Sequence, residues 1–315
     1  MAALTMVPCA PIAQAASAFP DRPVRLVVPY PPGGASDVLA RILVRRLGET
    51  IGQRVIIDNR PGSGTVIGTQ IVAAANPDGH TLLITSTPMG TNPALYARLP
   101  YDTVRDFSPV AFVGYAPVVM VAHPSVPVRT PQELIAAASA KPRAYSVATP
   151  GPGSLGHLIL ELLNREARIS LQHIPYKGAG QAAIDVMAGH VAFLFDNVGP
   201  ARAHIQAGRT RAIGVTSLTR VAALPDVPTF HESGVKALDA KSWYALFATA
   251  RTSGKIVDLL NAQVNAAVAS AEFKELFARD SYEAEPMTPG EVGRFVRLQI
   301  DKWTPVIRDA GIKVE

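Results

Sequence analysis

The chain alternates short apolar runs with longer stretches in which apolar residues recur at helical spacing. Residues 24–28, Val-Arg-Leu-Val-Val, form a β-branched run and predict a buried strand. Pro29, Pro31 and Pro32 cannot continue a ladder, so the strand stops there. Gly33 and Gly34 then open a helix predicted over 35–51, with Val38, Leu39, Ile42, Leu43 and Leu47 on one face and Gly52 as its stop. Residues 54–58 read as a second strand and 59–64 as a turn. Residues 65–75 read as a helix ended by Asn76-Pro77-Asp78-Gly79, and 80–85 as a third strand running into a polar loop over 86–93. This β-α-β-α-β order predicts a parallel sheet with helices on both faces. Ligands in such open sheets bind beyond the carboxyl ends of the strands, where Thr85 and Ser86 fall. A helix start there is ready for a carboxylate or phosphate, although an ordinary tight turn explains the same residues.

The scheme then repeats. Residues 110–121 are nearly continuous apolar chain and read as a strand that leaves one domain and enters another. Thr130-Pro131-Gln132-Glu133 is a capping box for a helix to about 140. Strands at 145–148, 171–175, 191–195 and 211–215 alternate with helices ending near 166, 188 and 207. Residues 224–239 are proline-rich and suit a return linker, and 243–248 form a further strand. Helices over 253–270, 271–280 and 289–310 close the chain. The last opens with the capping box Thr288-Pro289-Gly290-Glu291 and carries a stripe of Val292, Phe295, Val296, Gln299, Ile300, Trp303 and Ile307. The expected organisation is α/β, with one lobe over 19–115 plus 236–315 and a second over 116–235. Linkers near 114–117 and 227–239 would serve as hinges.

Composition narrows the function. With 315 residues, 48% hydrophobic and 17% charged, the chain has ample core for about two domains. The net charge of +5 is scattered and only 6% of residues are aromatic, which argues against a nucleic-acid interface. The single cysteine, Cys9, excludes a disulfide framework and a thiol metal site. Residues 1–18 carry no charge and end Ala16-Ser17-Ala18, an A-x-A pattern that predicts the tail of a secretory signal cleaved before Phe19. Cys9 as a lipidation site is the other reading of that segment, but Val7-Pro8 fits a lipobox poorly.

Few motifs carry chemistry. Residues 151–156 are formally G-x-G-x-x-G after a strand, yet the next strand ends Ile174-Pro175-Tyr176 without the acid that a nucleotide site needs. The loop still forms an anion nest, with Ser154 as helix cap or ligand hydroxyl. Ser154 with His157 invites a hydrolase reading, but the surroundings are not a G-x-S-x-G elbow. Asp196 ends an apolar strand, where an acid either caps the next helix or faces a ligand.

Residues 19–34 with Asp37 and Arg41 resemble the start of the mature tripartite tricarboxylate transporter substrate-binding (Bug) proteins. So do Asn59-Arg60-Pro61-Gly62 through Gly68, Asn76-Pro77-Asp78-Gly79, Tyr176-Lys177-Gly178, Asp196-Asn197 and Leu224-Pro225-Asp226-Val227-Pro228-Thr229. The resemblance covers nearly all of 19–315. It implies a two-lobed periplasmic binding protein of type II-like fold with two crossovers, no catalysis, no metal and no cofactor. The implied ligand is a small carboxylate, held in a closing cleft by backbone amides, hydroxyls and waters without an Arg clamp. The implied partner is a tripartite tricarboxylate-type membrane permease, and the receptor itself a monomer; a sensor feeding a signalling partner is the other role. Carried over, the first lobe offers Tyr30, Gly33, Gly34, Asp37, Thr85 and Ser86. The second offers Ser154, His157, Tyr176, Gly178, Gly180 and Asp196. One departure is Gly62-Ser63-Gly64-Thr65-Val66-Ile67-Gly68, where the family more often has Gly-Ala-Gly-Gly-Asn-Ile-Gly.

Overall fold

A computed structural model describes residues 19–33 and 35–314. The expected signal segment, Cys9 and Gly34 lie outside the described residues. In chain order the elements are β1 (Val24–Val28), α1 (Ala35–Ile51), β2 (Val55–Asn59), α2 (Val66–Ala73), β3 (Thr81–Thr85), α3 (Pro88–Leu95) and β4 (Phe107–Ala122). Then come α4 (Pro131–Ala140), β5 (Ser146–Thr149), α5 (Leu155–Ala167), β6 (Gln172–Pro175), α6 (Ala179–Met187), β7 (Phe193–Asn197), α7 (Val198–Gln206) and β8 (Arg211–Val215). β9 (Lys241–Thr249), α8 (Gly254–Val268), α9 (Ala271–Asp280) and α10 (Pro289–Asp309) complete it.

The strands form two halves with the same order. The first runs β2-β1-β3-β9-β4 and the second β6-β5-β7-β4-β8. In each half four strands run one way and one is reversed: β9 in the first, β4 in the second. β4 serves both. It pairs with β9 over 107–117, then with β7 and β8 from Val118 on. The result is a two-lobed α/β fold with β4 and β9 as the crossovers. α1, α8 and α9 cover one face of the first half, while α2, α3 and the start of α10 cover the other.

Most predicted elements appear within a residue or two, and four details differ. Residues 86–93, read as loop, instead run into α3 (Pro88–Leu95), with Pro88 at its first position, because Met89, Asn92 and Leu95 are buried. β7 begins at Phe193 rather than at 191, with Asp196 and Asn197 at its end as the sequence reading has them. Val38 is 37% exposed, while Leu39, Leu43 and Leu47 are fully covered. The expected hinge at 227–239 instead packs into the second half through Phe230, Val235 and Leu238. The second crossover therefore lies at the start of β9. α10 also spans both halves. Val292 and Val296 join the first core, and Trp303, Val306 and Ile307 join the second.

Candidate functional site

The turn after β1 is organised by Asp37, which is 1% exposed. Its carboxylate accepts the Gly33 N–H (2.9 Å), Arg41 Nε–H (2.8 Å) and Asn59 Nδ2–H (2.9 Å). Burial alone would raise its pKa, but these donors and the Arg41 charge hold it below the ordinary carboxylate range. Asp37 therefore acts as a clasp inside the turn, and the Gly33 amide is already engaged by it. Tyr30 lies on the other side of the turn. Burial pushes its phenol up to about 12, with Thr85 and Ser86 as polar neighbours. Thr85 and Ser86 are themselves buried behind Tyr30.

The turn after β5 has a similar plan with different chemistry. Ser154 caps α5 by accepting the His157 backbone N–H at 3.4 Å. The His157 ring accepts the Gly153 N–H at Nδ1 (3.1 Å), so Nε2 carries the proton and faces Glu161 Oε1 at 3.6 Å. The ring stacks on His173 at 3.8 Å, and His173 Nε2 meets the Thr149 hydroxyl at 2.6 Å. Neither His157 nitrogen remains for the Ser154 hydroxyl, so the hydrolase alternative has no nucleophile–base pair. His157, like Asp37, holds a turn and does not line the crevice.

The two turns wall one crevice of about 500 Å³. Tyr30 with its flanking prolines forms one side, and Pro150 to Ser154 with Lys177 and Gly178 the other. Tyr176 and Gly180 do not line it. The Tyr176 hydroxyl donates to Asp185 at 2.7 Å, and Gly180 is exposed in the first turn of α6. Beside the crevice, sharing Pro150, lies an inner pocket of about 110 Å³ lined by Leu155, Gly156, Ala179, Asn197, Ser242 and Asp196. Asp196 accepts the N–H of Asn197 at 2.8 Å, and burial raises its pKa to about 6.

Sequence reasoning missed α3 as a wall. Asn92 Nδ2 donates to the Gly64 carbonyl (3.0 Å) and the Tyr96 hydroxyl to the Ser63 carbonyl (2.8 Å), fastening the divergent 62–65 loop at the crevice. Pro88 after Thr87 was the available signal, since proline favours the first helical position. Lys177 also went unchosen, although it is the only charged side chain among the described lining residues. Val314 reaches the crevice from the end of the chain by donating its N–H to the Leu95 carbonyl at 3.3 Å. Among the described residues no group of three His, Cys, Asp or Glu is placed to hold a metal, and no helix is long and apolar enough to cross a membrane.

Comparison with known proteins agrees with this geometry. The family described as the tripartite tricarboxylate transporter family receptor matches residues 39–312. Protein BugT of Bordetella pertussis is 36% identical over 302 residues, covering 95% of this chain and 93% of that one. Among solved structures, R. palustris Rpa4515 with adipate superposes with a TM-score of 0.85 at 32% identity, covering 94% of this chain and all of that one. The periplasmic binding protein BugD gives 0.81 at 32% identity, and covers 94% and 100%. MatC of Rhodopseudomonas palustris with bound malate gives 0.80 at 30%, and covers 92% and 100%. These relatives are solute-binding receptors rather than enzymes, and like them this chain, with its two lobes and shared crevice, belongs to the tripartite tricarboxylate transporter receptor family of periplasmic solute-binding proteins.

Proposed function

We propose that the protein captures a small carboxylate in the crevice between its lobes and hands it to a tripartite tricarboxylate-type permease. The lobes, expected at 19–115 with 236–315 and at 116–235, meet instead within β4 near Val118 and at the start of β9 (Lys241), and move about those two strands. The observation that carries this reading is the single crevice walled by both strand-to-helix turns. The Gly33 and Gly153 amides are already bonded to side chains. Among the described residues the donors that remain include the first N–H groups of α5, from Leu155 and Gly156, which no helical carbonyl can reach. They line the inner pocket, and the Ser154 hydroxyl and Lys177 stand on the larger crevice. A carboxylate head fits the first, and a chain with a second acid fits the second. The relatives solved with adipate and malate support this class. The protein acts as a monomer in the periplasm once residues 1–18 are removed.

Titration calorimetry and thermal shift with adipate, malate and a series of mono- and dicarboxylates test the proposal. Saturable heat with one ligand per chain is expected. Absence of both heat and shift across the series would sink it. Copurification or crosslinking with the permease tests the second half of the reading.

A further inference from the structure

We propose that the carboxylate is bound together with a proton, which resides on Asp196 in the complex. This rests on the receptor reading above and specifies the chemistry of the inner pocket. Three helix starts wall that pocket: Leu155 and Gly156 of α5, Ala179 of α6, and Asn197 at the cap of α7. The last two helices have no capping side chain. Such a convergence favours negative charge within about 110 Å³. The same volume already contains the carboxyl group of Asp196, bonded to the Asn197 N–H at 2.8 Å.

Among the described residues no cation faces Asp196. β4 presents Val118 and Val119. α5 carries His157 in its first turn, which is committed to Gly153 and faces Glu161. Lys177, just before α6, stands on the wall of the larger crevice. Arg202 of α7 donates to the Arg279 carbonyl on α9. From β9 come Ser242 and the buried Tyr244 phenol, which feels the Asp196 charge. Lys241 is bonded to Glu283 at 2.6 Å.

Two anions in so small a volume repel unless a cation, a bridging water or a proton lies between them, and a proton alone removes one of the charges. A protonated Asp196 instead donates a charge-assisted O–H···O⁻ bond to the ligand. The balance is Asp196–COO⁻ plus H⁺ plus ligand–COO⁻ giving Asp196–COOH···⁻OOC–ligand. Burial already raises the free acid to about 6, and a second carboxylate drives it higher. Above the free value, binding therefore takes up a proton, and affinity falls as pH rises.

Calorimetry with adipate and malate, in buffers of different ionisation heat, reads the proton count directly. For whichever binds, uptake of about one proton per ligand near pH 7.5 is expected, with apparent Kd rising toward tenfold per pH unit from about 6.5 to about 8.5. Asp196→Asn keeps a neutral donor of the same shape, so it binds but loses both the uptake and the slope. Binding without proton uptake, or uptake that persists in Asp196→Asn, overturns the inference and leaves the receptor reading intact. If that variant fails to fold, the wild-type count decides alone. No heat with either acid or with the wider series removes the receptor reading, and this inference with it.

Discussion

The two strand-to-helix turns share a plan and differ in what executes it. In each, a glycine N–H donates to a side chain four residues later, Gly33 to Asp37 and Gly153 to His157. The first clasp is an anion neutralised by Arg41 and Asn59. The second is an imidazole supported by His173 stacking. The contrast teaches that glycine-rich turns at a cleft do not automatically present free amides. Here part of the donor set stabilises the turn, and in the function proposed above the ligand donors come from the following helical residues.

Removing the anionic clasp has the largest expected effect. Asp37→Ala leaves the Gly33 and Asn59 donors without their acceptor, and is expected to destabilise by about 3 kcal/mol in urea unfolding. A loss under about 1 kcal/mol would show that the clasp is dispensable.

Next come the glycines. Gly153→Ala combines a φ of +71° with a Cβ placed 2.7 Å from Leu95 Cδ1. About 2 kcal/mol is expected, together with weaker ligand binding. Gly33→Ala has a φ of +85° and open space, so only about 1 kcal/mol is expected. Equal losses would erase the distinction between a packed turn and an open one.

Acid separates the turns further. Burial, then the neighbouring His157, lowers the His173 pKa to about 4. The unfolded histidine titrates near 6.5 and takes up its proton first, so this contribution is complete above about 6.5 and lost as pH falls toward 4. The Asp37 pKa is depressed, so its contribution is complete above the unfolded value of about 3.9 and lost below it. The second turn therefore loosens first. His173→Gln should flatten the stability slope between about pH 6.5 and 4, whereas Asp37→Asn should leave that slope in place. The reverse pattern would contradict the assignment.

The smallest effect is expected at Lys177, which is exposed. Lys177→Met should leave the melting temperature unchanged and weaken dicarboxylate binding by about a few fold, more at low salt. Unchanged affinity at low salt would remove this lysine from the site.

Much of the fold was legible because its signals are local. The β-branched run at 24–28, the Pro29 stop and the Thr288–Glu291 capping box act within a few residues, and the box forms in full. α3 was obscured because Pro93 and four polar residues at 86, 87, 91 and 92 mimic a loop; burial against α10 overrides them. Site residues were legible as a neighbourhood rather than as roles. Tyr30, Ser154 and Gly178 reach the crevice and Asp196 the inner pocket, while Asp37 and His157 stand behind it. A short motif specifies a residue type but not the direction of its side chain.

The sequence by itself determined the alternation of strands and helices, the two glycine-rich turns and the family to which the chain belongs. Those depend on backbone preferences and spacing, which neighbouring residues set. Only the tertiary structure decided which amides are engaged, that α10 ties both halves together, and that Asp196 shares a small pocket with three helix starts. Those facts depend on residues far apart in the chain meeting in space, and only packing determines that.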